Sequence, residues 1–110
     1  MTYSNLKKGG NFRYIVSNLA DGDTMSLPAG SKIEAVITEK IGTTAGNFEF
    51  GTTAGGEEIV AQVALGTTDG AIATQTLVNP GPYSVSADTP VYFTLSGGGA
   101  NVYLLMQQVG

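Results

Sequence analysis

The string Gly-Thr-Thr-Ala-Gly occurs at residues 42–46 and again at 51–55, and Gly-Thr-Thr-Asp-Gly follows at 66–70. Hydroxyls beside mobile glycine amides could cradle a phosphate or help to ligate a metal. A phosphate loop, however, requires Gly-x-x-x-x-Gly-Lys-Ser/Thr opening a helix, and no lysine follows any of the three strings. Calcium-binding repeats require Gly-Gly-x-Gly-x-Asp at a fixed short period. Here the spacings are unequal, 9 and then 15 residues, and only Asp69 supplies a carboxylate. Unequal spacing also argues against a solenoid. Glycine permits positive φ and threonine suits the strand beside a turn, so the strings read as turns between strands.

Other reactive groups are few. The chain has no histidine and no cysteine, which removes the usual Ser-His and Cys-His nucleophile systems and any thiolate or imidazole zinc site. Glu57 and Glu58 are adjacent, so a strand sends them to opposite faces, where they cannot flank one substrate bond as a glycosidase pair must. Glu34 and Glu39 are expected on opposite faces as well. Asp21-Gly22-Asp23 offers two carboxylates, far short of the oxygens a calcium ion takes, and reads as a turn. The expectation is a protein that is not an enzyme and carries no cofactor or metal.

Positioning elements come from composition and periodicity. Of 110 residues 16 are glycine, and only 13% are charged, a mixture suited to short strands and tight turns. Strands are expected at 12–17, 24–30, 32–41, 47–50, 57–65, 71–78, 83–87, 90–96 and 101–109. In 32–41, Ile33, Ala35, Ile37 and Ile41 share one face, while Glu34, Thr38 and Lys40 share the other, with Val36 out of step. Phe48 with Phe50 forms an apolar face, as do Ile59, Ala61, Val63 and Leu65. Ile72, Thr74, Thr76 and Val78 alternate more loosely, and Val91, Phe93 and Leu95 form a further apolar set. Tyr92 and Tyr103 fall opposite the core set. The last strand is apolar on both faces and is expected to be central or covered. The pattern predicts an all-β fold, an antiparallel β-sandwich of about eight strands, jelly-roll-like. An up-and-down barrel and an immunoglobulin-like sandwich remain alternatives. Residues 1–11 form an extended basic N-terminal arm and 12–110 a single domain.

The surface points to assembly. Lys7, Lys8 and Arg13 are three of the five basic residues, and no acid precedes Asp21, on a chain whose net charge is −4. The overall balance argues against nucleic-acid binding, while the basic arm suits an acidic partner surface. Val36, Val60 and Leu105 place apolar side chains on second strand faces, and such exposed apolar area marks protein–protein contact. The N-terminal residues lack the apolar core of a signal peptide, and no apolar run is long enough for a membrane helix, so a soluble protein made in the cytoplasm and independent of membranes is expected.

Three stretches carry a resemblance: "SLPAGSKIEAVITEKIG" at 26–42, "GNFEFGTTAGGEEIVAQVAL" at 46–65 and "ADTPVYFTLSGGGANVYLLMQQV" at 87–109. Their order of strands and glycine turns resembles the small jelly-roll capsid decoration, or cement, proteins of tailed double-stranded DNA bacteriophages. That resemblance implies a virion structural protein made in the host cytoplasm. It would bind the outer surface of the head, bridge and stabilise subunits of the major capsid protein, and sit as a homodimer or homotrimer at a local symmetry axis. Tyr3, Leu6, Lys7, Lys8, Phe12, Arg13 and Tyr14 are the candidate capsid-binding residues on physical grounds. The alternative is a phage tail or receptor-binding β-sandwich module that recognises glycan; a cellular β-sandwich adaptor is a third reading.

Overall fold

The computed structural model describes residues 11–78 and 82–108. Among them lie nine strands and no helix: β1 (Asn11–Val16), β2 (Thr24–Leu27), β3 (Ser31–Ile41), β4 (Asn47–Gly51), β5 (Val60–Ala64), β6 (Ile72–Gln75), β7 (Tyr83–Ser84), β8 (Thr89–Ser96) and β9 (Gly99–Gln108). Asn11 belongs to β1, so the arm–domain boundary expected after residue 11 falls inside a strand. A five-strand sheet has the order β1-β9-β3-β6, with β7 also paired to β3, and a four-strand sheet has the order β2-β8-β4-β5. All of the pairings are antiparallel.

The two sheets bury one another's apolar faces, consistent with a β-sandwich. Ile33, Val36, Val102, Leu104 and Met106 come from the five-strand sheet, and Phe48, Phe50, Val91, Phe93 and Leu95 from the four-strand sheet, all in one core cluster. Phe50 and Phe93 stack with ring centroids 4.3 Å apart and planes 5° apart. Phe48 lies tilted beside Phe93 at 6.3 Å. β9 is central in its sheet, between β1 and β3; its inner face is core, while on its outer face Leu105 remains 37% exposed.

β3 departs from the simple alternation. Its pairing with β9 shifts between Ile33 and Ala35, because Ile33 opposes Met106 and Ala35 opposes Leu105. Glu34 is the extra residue of a β-bulge, and the faces exchange beyond it. Ile33 is buried as expected, but from there on Val36, Thr38 and Lys40 point inward, while Ala35, Ile37, Glu39 and Ile41 are only half-buried. The expected inward set of Ala35, Ile37 and Ile41 is thereby corrected, and Val36, out of step in sequence, is a core residue. Thr38 and Lys40 find partners, whereas the buried Ser31 hydroxyl at the start of β3 has none. Gln75 Nε2 donates to Thr38 Oγ1 at 2.9 Å, and Lys40 Nζ donates to the Ile41 carbonyl at 2.9 Å.

Two further strands differ for similar reasons. The β4–β5 register shifts between Phe48 and Phe50, so Ile59 and Val60 are both buried and Ala61 is turned out to solvent. In β6 the inward residue is Gln75, followed by half-buried Leu77, and Ile72 is 71% exposed. The Thr38 hydroxyl gives the inward Gln75 a buried partner.

Candidate functional site

The three Gly-Thr-Thr strings connect successive strands: 42–46 joins β3 to β4, 51–55 joins β4 to β5, and 66–70 joins β5 to β6. Several of their polar groups bond within the chain. Gly42 N donates to Asp69 Oδ1 at 2.6 Å, and Leu65 N donates to the Gly46 carbonyl at 2.8 Å, which ties the first string to the third. In the second, Thr52 N donates to Glu58 Oε1 at 2.8 Å and Thr53 Oγ1 to Glu58 Oε2 at 3.1 Å. The Thr52 amide, first among these bonds, holds the Glu58 carboxyl below its ordinary range. Asp23 caps its own turn, accepting from Ala20 N at 2.8 Å, and Asp21 ties the β1–β2 connection to β8, accepting from Leu95 N at 3.0 Å.

A carboxylate pair forms that sequence did not indicate. The neighbouring Glu57 carboxyl foremost, together with burial and repulsion from Asp21, raises the pKa of Glu49. The pair bears on stability. A carboxyl whose folded pKa exceeds its unfolded value weakens the fold at pH above that range and costs nothing once both states are protonated. Glu49→Gln is therefore expected to raise the melting temperature at neutral pH, with the gain fading as the pH falls through the ordinary glutamate range near about 4.3. Melting curves of both proteins between neutral and acidic pH check the sign; a gain that grows on acidification would contradict it.

The surface with the character of a binding face is the outer side of the five-strand sheet. Register places Arg13, Leu105 and Ala35 in one row and Ile15, Tyr103 and Ile37 in the next. Ile15 is 49% and Leu105 37% exposed. A depression of about 480 Å³ is lined by Phe12, Arg13, Glu34, Leu105 and Met106. One flank of this face is polar and fixed: Glu39 Oε1 accepts from the Tyr103 hydroxyl at 2.8 Å and from Asn101 Nδ2 at 3.2 Å. The Asn101 and Tyr103 bonds lower the Glu39 pKa, and the bond to Glu39 raises that of Tyr103.

Of the seven sequence candidates, Tyr3, Leu6, Lys7 and Lys8 lie outside the described residues. Phe12, Arg13 and Tyr14 sit on β1 and alternate. Phe12 and Tyr14 are half-buried against the core, whereas Arg13 is exposed on the outer face. The structure brings Arg13 together with Leu105 and Glu34 rather than with Tyr14. Sequence reasoning missed Ile15 and Ile37 on this face. The signal for Ile15 was present, since it alternates with Phe12, Tyr14 and Val16. Ile37 was hidden by the bulge. Of the three residues expected to bring apolar area to outer faces, Leu105 does so, and Val36 and Val60 are core. No protein-family model matches this chain, and no curated protein sequence matches it.

Proposed function

We propose that this chain is a non-enzymatic jelly-roll capsid decoration protein that binds the outside of a bacteriophage head and bridges its subunits. The jelly-roll reading is supported by the nesting of the strand pairs: β1 with β9, β2 with β8, β3 with β6 and β7, and β4 with β5. One long hairpin, with its tip at the second Gly-Thr-Thr turn, wraps into two sheets in that order. The observation that carries the binding role is the outer face of the five-strand sheet, where Arg13 stands beside exposed Ile15 and Leu105. Lys7 and Lys8 precede it in the chain.

A face of this kind suits lateral contact with an acidic, partly apolar capsid surface. The mechanism is mass action. A protein that binds only the assembled lattice stabilises that state, and many copies engaged together gain from multivalent geometry.

Deletion of residues 1–10 is expected to leave the circular-dichroism spectrum of the domain intact while lowering its occupancy on purified heads. Leu105→Glu is expected to do the same by burying a charge at the contact, and raised salt should weaken the native protein's binding. Occupancy unchanged in both variants would sink the proposal. Binding of the isolated domain to cell-surface glycan, with only a few copies per particle, would favour a tail module instead.

A further inference from the structure

One side of the molecule is closed by two edge strands, β5 of the four-strand sheet and β6 of the five-strand sheet. Residues 59–78, which contain both, carry a single charged side chain, Asp69, and eight of the chain's nine acids lie elsewhere. Asp69 itself accepts from Gly42 N. Between the edges runs a groove of about 460 Å³ whose lining includes Val60, Val63, Leu77 and Val78. Among the described residues Ile72, at 71%, is the most exposed large hydrophobic, and it lies on this side together with Val78 at 47%.

Edge strands are normally blunted by lysine, proline or inward charge. β5 has no charge or proline, and its Ala61, Gln62 and Ala64 are exposed; its pairing with β4 shifts register between Val60 and Val63. The other edges are better defended. β1 carries Arg13, and β2 is stopped by Pro28. Val78 N donates to the Ile59 carbonyl at 2.9 Å, so the first residue before β5 is already capped and the open stretch begins beyond it.

We propose that the β5–β6 side is a self-association edge, on which a second copy of this chain pairs antiparallel, β5 against β5, across a two-fold axis at Gln62. The occupant is a second copy for two reasons. A chain of net charge −4 repels its own copies least where acids are missing. An antiparallel strand pair about a two-fold axis is also self-complementary, each backbone donor meeting the same acceptor on its partner. The pairing joins two four-strand sheets into one and covers Val78, Leu77 and the groove. It involves a different surface from the head-binding face and does not rest on that reading.

The test uses purified full-length protein without heads, with mass measured by sedimentation over a dilution series. The native chain is expected to run at twice the chain mass. Gln62→Lys and Gln62→Glu each set like charges opposite one another, so each alone is expected to raise the dimer dissociation constant by about tenfold or more while keeping the native circular-dichroism spectrum. Mixing the two variants is expected to restore the dimer. A native chain that is monomeric or trimeric, single variants that dimerise like the native chain, or a mixture that stays monomeric would each overturn the proposal.

Discussion

Phe93→Ala is expected to cost about 3–5 kcal/mol of folding stability. Phe93 is 1% exposed, stacks on Phe50 at 4.3 Å and lies beside Phe48 at 6.3 Å. Its truncation removes contacts to both rings and leaves a cavity between the sheets. All three rings sit on adjacent strands, since Phe50 opposes Phe93 in the β4–β8 register. The backbone therefore cannot collapse into the gap without breaking that pairing. A domain of this size has about 5–15 kcal/mol in total, so the variant is expected to unfold at markedly lower urea concentration with an unchanged m-value. A loss below about 1 kcal/mol, the ordinary surface-to-average range, would show that the aromatic cluster is not the centre of the core.

The second large effect concerns glycines that look alike in sequence and differ in space. Gly97→Ala is expected to be far more damaging than Gly42→Ala, although both glycines have positive φ, +70° and +78°. At Gly42 a Cβ would meet nothing within 4 Å, so the penalty is the left-handed backbone alone, about 1–2 kcal/mol. At Gly97 the added carbon would press on the Ala45 carbonyl oxygen, and the facing Gly46 has the reciprocal problem, its Cβ falling 2.5 Å from the Gly97 oxygen. Overpacking of this kind adds about 1–3 kcal/mol, and here the opposing atoms are backbone and cannot rotate away. Denaturation of the two variants side by side checks the difference. Equal losses would mean that the turns at 42–46 and 96–99 are not pressed together as described.

Part of this architecture was legible. Val91, Phe93 and Leu95 alternate without interruption because β8 pairs with β2 and β4 over its length in regular register, and β9 advertises its central place through its two apolar faces. The strings at 42, 51 and 66 were readable as turns from glycine and threonine chemistry. β3 was not readable beyond Ile33. A bulge is a property of the pairing between two strands, and its one trace in sequence was Val36 standing out of phase. The same holds for β5, where a second register shift buries Ile59 and Val60 together. The Glu49–Glu57 pair was hidden for a different reason, since it spans a turn whose curvature the sequence does not specify.

What the sequence by itself determined is the class of structure: an all-β chain of short strands, dense in glycine turns and poor in reactive side chains. These follow from composition and from the two-residue period, both local properties. Only the tertiary structure decided which faces look outward. It turned Lys40 and Thr38 into the core, left Ile72 in solvent, and set two uncharged edges on one side. Each of those outcomes depends on register and sheet order. A shift of one residue between strands inverts every face beyond it, and nothing local in the chain fixes that shift until the partner strand is in place.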